Sequence, residues 1–251
     1  MSGEVQFYLV AIPAVILFGL SKGGFSGLGT IGVPMLSLVA SPVRAAAIVL
    51  PILLVQDWLS VWAFRRDFSP RNLIILIPSS IIGVGVGWLF AARVSDDAVR
   101  LVIGVISIVF VAYMLIRDRL GLASVEKPGV PSGILWGSLS GFTSFIGHAG
   151  APPFQVYVMP QYLQPRIFAG TATIFFAAVN LLKLPPYFLL GQLSRDNLIV
   201  SAGLIPVAIV STFAGVWVVR RVSPDRFYAL ILALTFLIGI KLTYDAVRAL
   251  A

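Results

Sequence analysis

The chain has 251 residues, of which 59% are hydrophobic and 11% charged, with a mean hydropathy of +0.99. A soluble domain is roughly half apolar and roughly a quarter charged. The composition therefore excludes an ordinary water-soluble domain and makes the bilayer the natural solvent. The net charge is +8, yet most Lys and Arg lie in short loops between apolar runs. There they anchor and orient membrane helices, and no nucleic acid is expected as a partner. Cysteine is absent, which excludes disulfides and thiolate metal sites. The N-terminus "MSGEVQFYLV" carries Glu4 and no basic stretch, which argues against a cleaved secretory signal.

In chain order, the first apolar segment, Val5–Leu20, is short. The Gly-rich break "SKGGFSGLGTIG" follows, then a second short segment, Leu28–Ala40. Three runs long enough to span come next: Ala45–Phe64, Leu73–Ala92 and Ala98–Ile116. A polar, breaker-rich stretch, Arg117–Gly133, separates them from the second half. That half repeats the order. Short Gly133–Ile146, the break "SGFTSFIGHAG" and short Ala151–Pro160 precede the runs Ile167–Leu190, Leu198–Val219 and Phe227–Thr243. As ideal helices the short segments cover only about 15–24 Å, less than the roughly 30 Å hydrocarbon core. Short segments meeting at glycine suggest half-helices. Trp58, Trp62, Trp88 and Trp217 lie toward the ends of runs, as interfacial anchors do.

The halves align as a repeat. Gly23, Gly29, Gly32 and Pro34 match Gly141, Gly147, Gly150 and Pro152, and Asp57 matches Asn180. Pro78, Gly87 and Val94-Ser95 match Pro206, Gly215 and Val222-Ser223. The expected organisation is a first transmembrane repeat over 1–120, a cytoplasmic linker over 121–131 and a second repeat over 132–251. The fold class is all-α, a polytopic transmembrane helical bundle of two inverted repeats. Each repeat has three full spans plus a Gly-broken pair of short helices. Inversion follows from the odd number of crossings per repeat, provided the broken pair does not cross just once. The loop with Arg65, Arg66 and Arg71, the linker, and Arg220, Arg221 and Arg226 then share the cytoplasmic side, and both termini face the periplasm. Arg44 and Arg166 read as anchors at loop edges.

Inverted repeats with interrupted helices point to a transporter with a midplane site at the breaks. Exposed backbone N–H groups and helix N-termini near Thr30 and Ala151 favour an anion. The expected substrate-binding set is Lys22, Gly23, Gly24, Ser26, Gly29, Thr30, Thr143, Ser144, His148, Gly150, Gln155 and Lys183. Lys22 adds fixed positive charge, and His148, the single histidine, adds a switchable one. Ser26, Thr30, Thr143, Ser144 and Gln155 supply donors that suit a small oxyanion. The bland alternative is that the glycines serve helix packing alone. Asp57 is either an interfacial carboxylate or a partner of Lys22 or a proton carrier. Asp57, His148 and Asn180 are the expected coupling or gating residues. Lys183 shares a helical face with Asn180 and either snorkels or joins the anion path, and Pro185-Pro186 should end or kink its helix just beyond.

Gly24-Phe25-Ser26-Gly27 fits G-x-S-G and, with His148, would make an intramembrane serine hydrolase. That alternative leaves the repeat unexplained. HExxH, Walker A and strand-linked GxGxxG motifs are absent, so neither catalytic residues, cofactor nor metal is expected.

Four segments, "SKGGFSGLGTIGVPML", "LPILLVQDW", "FTSFIGHAGAPPFQVYVMPQ" and "NLLKLPPYFLLG", resemble the sulfite exporter TauE/SafE family, and more narrowly its TauE-type branch. The sequence departs from that family's GxGGG element at Gly29-Thr30-Ile31-Gly32-Val33, and has Ala151 where a second glycine is expected. The resemblance implies a multi-pass inner-membrane exporter of sulfite or an organosulfonate such as sulfoacetate. Its partners would be that anion and the lipid bilayer, with a homodimer as a compatible assembly. Import of another oxyanion by the same fold is the alternative, and a non-transporting assembly factor a further one.

Overall fold

The computed structural model describes residues 3–22, 28–36, 39–40, 42–90, 96–119 and 128–250. Among them are ten α-helices, one 3-10 turn and no strand, as an all-α polytopic bundle requires. The helices are α1 (Gly3–Lys22), α2 (Gly29–Leu36), α3 (Pro42–Phe64), α4 (Pro70–Phe90) and α5 (Asp96–Arg119) in the first half. The second half holds α6 (Val130–Gly147), α7 (Ala151–Val158), α8 (Pro165–Leu189), α9 (Arg195–Val219) and α10 (Pro224–Leu250). Six are long and apolar enough to cross a membrane: α1, α3, α4, α8, α9 and α10.

This set differs from the expected spans at one helix in each direction. Val5–Leu20, expected to be a short segment, lies in a 20-residue helix, because Ser21 and Lys22 continue it up to the break. In α5 the apolar stretch is only Arg100–Ile116, with charged residues in both end turns of its 24-residue helix. The first helix of each broken pair is therefore the longer, at 20 and 18 residues, and the second is an 8-residue piece. Pro185 and Pro186 do not end α8, which continues to Leu189. Membrane helices tolerate proline because neighbours satisfy the freed carbonyls, and Pro13, Pro51, Pro78 and Pro206 are likewise interior.

The chain forms two compact units. Unit 1 is Met1–Ser69 with Pro165–Val222, and unit 2 is Pro70–Gln164 with Ser223–Ala251. Each takes helices from both halves of the sequence. Unit 1 holds α1, α2, α3, α8 and α9, and unit 2 holds α4, α5, α6, α7 and α10.

In unit 1, α1 runs along α9 in the same sense, with Val15 beside Ser211 and Leu20 beside Gly215. In unit 2 the corresponding helices, α6 and α4, do the same. A Cβ on Gly133 would strike Ile75 at 2.5 Å, and one on Gly141 would strike the Ser80 carbonyl oxygen at 2.4 Å. Without a hydrophobic drive between helices in lipid, such small-residue seams let backbones approach and gain dispersion energy. Two pairs run oppositely. In unit 1, α3 meets α8 through Asp57 with Asn180 and through Phe64 with Gly170. In unit 2, α5 meets α10 with Gly104 beside Thr243 and Ser107 beside Gly239. The helices of each antiparallel pair hold equivalent places in the two halves. Trp58, Trp62 and Trp217 are exposed, and Trp62 and Trp217 carry Arg65 and Arg221 over their rings at 5.0 and 4.2 Å. Such pairs suit an interface where one end of the side chain is apolar and the other wet.

Candidate functional site

Unit 1 contains a polar chain built by three helices. The last residue of α1, Lys22, forms a salt bridge with Asp57 of α3. The other carboxylate oxygen of Asp57 accepts from Asn180 Nδ2 of α8 at 2.7 Å. Asn180 Oδ1 in turn accepts from Lys183 Nζ at 3.1 Å. Those two bonds fix the orientation of the amide, with its donor toward the anion and its acceptor toward the cation. Thr173 closes the arrangement by donating to the Lys22 carbonyl at 3.1 Å, satisfying one of the orphan carbonyls at the end of α1.

The local sequence explains the placement. Asn180 and Lys183 are three apart and so share a face of α8. Thr173 lies seven residues, two turns, before Asn180 on the same face. Asp57 stands seven residues before the end of α3, about 10 Å along the axis.

Burial decides between the alternatives. Lys22 is 8% exposed, Asp57 3%, Asn180 3% and Lys183 0%. Asp57 is thus the partner of Lys22, and Lys183 does not reach solvent. Among the described residues, Lys22, Asp57 and Lys183 are the buried charged side chains. Two ammoniums face one carboxylate. When all are ionised one positive charge is left over, which is costly in a low-dielectric interior unless something neutralises it. Two further buried atoms on α3, Gln56 Oε1 and Ser60 Oγ, have no hydrogen-bond partner among the described residues. Ser60 follows Asp57 by three residues, on the same face.

The remaining expected site residues divide as follows. Gly23, Gly24 and Ser26 lie outside the described residues, as do 121–127 of the linker and the side chain of Thr30. Gly29 starts α2, where a Cβ would meet Ser21 Oγ at 3.0 Å.

Thr143, Ser144, His148, Gly150 and Gln155 belong to unit 2. His148 ends α6 in the left-handed conformation, φ 52°. Its N–H reaches Ser144 O at 3.1 Å, and the Ala149 N–H reaches Thr143 O at 3.2 Å. Glycine or asparagine more often fills such a place. Here a half-buried imidazole does so at a backbone cost of roughly 1–2 kcal/mol. The Ser140 hydroxyl donates to Gly150 O at 2.7 Å, tying α6 to the start of α7. The Thr143 hydroxyl donates to Leu139 O within its own helix at 2.9 Å, and Ser144 is buried. Gln155 accepts from the Thr235 hydroxyl of α10 at 2.6 Å. Thr173 and Thr235 escaped the sequence reading, because threonine inside an apolar helix gives no spacing signal of its own.

The fold and this cluster define a polytopic helical membrane protein with an ionisable network buried inside one of its units. The family model of the sulfite exporter TauE/SafE family matches residues 11–242, and the chain belongs to that family. No curated protein and no solved structure matches the chain.

Proposed function

We propose that this chain is an inner-membrane transporter exporting a small sulfur-containing anion, sulfite or an organosulfonate, and that Lys22 and Lys183 hold the anion while Asp57 and Asn180 position them. The observation that carries this reading is the buried cluster with one cation in excess, in a chain of the TauE/SafE family. Ionisable groups inside a membrane protein are functional by default, because burial costs too much to be maintained for packing alone. An anion entering the cluster removes the excess.

The site lies between the two halves of the sequence, since α3 and α8 are equivalent helices. Their opposite direction, and that of α5 and α10, supports an inverted repeat. The organisation into repeats 1–120 and 132–251 joined by the 121–131 linker is part of the same reading. The asymmetry is chemical: Asp57 and Ser60 on α3 stand where α8 has Asn180 and Lys183. Every member of the cluster is buried, so cargo enters only after the unit opens toward one side of the membrane. Export of an anion from a negative interior is downhill by about 2.3 kcal/mol per charge per 100 mV. Uniport therefore suffices, and His148 and Asp57 are the groups we assign to any proton coupling. The glycines of the breaks, with Thr143, Ser144 and Gln155, are assigned to shaping the substrate path.

Counterflow in proteoliposomes tests the reading. Vesicles loaded with unlabelled sulfite and carrying the protein are expected to accumulate external labelled sulfite. Uptake no greater than in protein-free vesicles, for sulfite and for sulfonates alike, would end the proposal.

A further inference from the structure

The charge balance of the buried cluster also limits the cargo. Lys22, Asp57 and Lys183 are the buried charged side chains among the described residues; Lys22 pairs with Asp57, and Lys183 reaches Asn180 beside it. With all three ionised the cluster carries a formal charge of one positive unit. We propose that the cargo held there is a monoanion, and that Asp57 sets this preference by cancelling one of the two lysines. The inference rests on the transport reading above and narrows it.

In a site sealed from water, a net charge of either sign is penalised. One bound monoanion brings the cluster to neutrality. A dianion would overshoot to one negative unit, and a zwitterion would leave the excess in place. Among sulfur oxyanions this selects hydrogen sulfite and simple sulfonates. It disfavours sulfate, fully ionised sulfite, sulfoacetate with its carboxylate beside the sulfonate, and taurine. The hydrogen-bonding groups fit the same cargo. Asn180 already spends its amide between Asp57 and Lys183, so it does not select the ligand. The ammonium groups and the Ser60 hydroxyl, which is buried without a partner among the described residues, are donors. Donors suit the bare oxygens of a sulfonyl group.

The test compares two ions that share a sulfur–oxygen head and keep a fixed charge near neutral pH. Methanesulfonate carries one charge and sulfate carries two. Thermal stabilisation of the purified chain is titrated with each at constant ionic strength. Wild type is expected to respond to methanesulfonate at a concentration at least tenfold lower than to sulfate. Asp57→Asn, with two uncancelled lysines, is expected to shift that ratio toward sulfate by at least tenfold. Lys183→Met, with the remaining pair neutral, is expected to lose the response to both ions. Should Asp57→Asn fail to fold, the wild-type ratio and Lys183→Met decide. Sulfate binding wild type as tightly as methanesulfonate would overturn the inference, as would an unchanged ratio in folded Asp57→Asn. If that happens while sulfite counterflow persists, the charge rule alone has failed. If wild type shows no counterflow and answers neither ion, the transport reading has failed with it.

Discussion

Asp57 and Asn180 occupy equivalent positions in the two halves of the sequence and are bonded directly to each other, Asn180 Nδ2 donating to Asp57 Oδ2 at 2.7 Å. In an antiparallel pair of equivalent helices, equal positions meet only where a two-fold axis would pass. On the inverted-repeat reading proposed above, the charged cluster lies at the symmetry element of its scaffold, with its charge distributed unequally about it. Lys183 stands on one side of that centre and Ser60 on the other.

This relationship predicts the behaviour of an exchange. Asp57→Asn leaves two buried lysines without a carboxylate, whereas Asn180→Asp gives each lysine a carboxylate and brings the cluster to neutrality without an anion. Removing one partner of a buried ion pair typically costs about 3–5 kcal/mol. The double variant Asp57→Asn/Asn180→Asp restores one carboxylate and one amide in contact. It is expected to unfold closer to wild type than Asp57→Asn, with a coupling of at least ~1 kcal/mol in a double-mutant cycle. Additive losses would show that the two positions are not interchangeable.

The helix seams make a prediction about stability alone. Gly83 and Gly85 lie on α4, two residues apart. A Cβ on Gly83 would come 1.9 Å from the Ser138 carbonyl oxygen and 2.7 Å from the Phe142 nitrogen, both backbone atoms of α6 that cannot swing away. A Cβ on Gly85 meets nothing within 4 Å. Gly83→Ala should therefore destabilise unit 2 by about 2 kcal/mol or more, in the range of overpacked sites. Gly85→Ala should be neutral or stabilise by a few tenths of a kcal/mol, since alanine has the better helix propensity. Unfolding of the two variants in one detergent gives the comparison.

At His148 backbone and side chain can be separated. Glycine adopts φ 52° without a Cβ clash, whereas alanine keeps the clash and lacks the imidazole. His148→Gly is expected to be more stable than His148→Ala by about 1 kcal/mol. If the imidazole serves transport, both variants lose flux equally despite their different stabilities. Flux that follows stability instead would reduce His148 to a helix terminator.

Most of the architecture was legible because the bilayer imposes it. Apolar runs of about 20 residues must be helices when no water is present to satisfy the backbone. What length could not show was where a helix ends near a glycine break. Ser21 and Lys22 look like the edge of a loop, yet Lys22 stays helical because Asp57 takes its charge and Thr173 takes its carbonyl. Both partners come from distant helices, so local propensity does not contain them. Similarly, Pro185-Pro186 carries a local signal to stop, and α8 overrides it. At the site, the pairing of Lys22 with Asp57 and the shared face of Asn180 and Lys183 could be anticipated from residue type and spacing. The direct Asp57–Asn180 bond could not, because it depends on how α3 crosses α8. The organisation into units was hidden for the same reason: each half of the sequence contributes helices to both.

The central claim is that Lys183, fully buried and three residues from Asn180, gives the cluster the positive charge that holds the substrate. Equilibrium binding of labelled sulfite to purified wild type and Lys183→Met tests it most directly. Methionine keeps the length of the side chain and leaves Lys22 and Asp57 as a neutral pair, so the variant should fold with wild-type stability or better. The account predicts saturable binding to wild type and at least a 30-fold weaker apparent affinity in the folded variant. Equal affinity in the two proteins would contradict it.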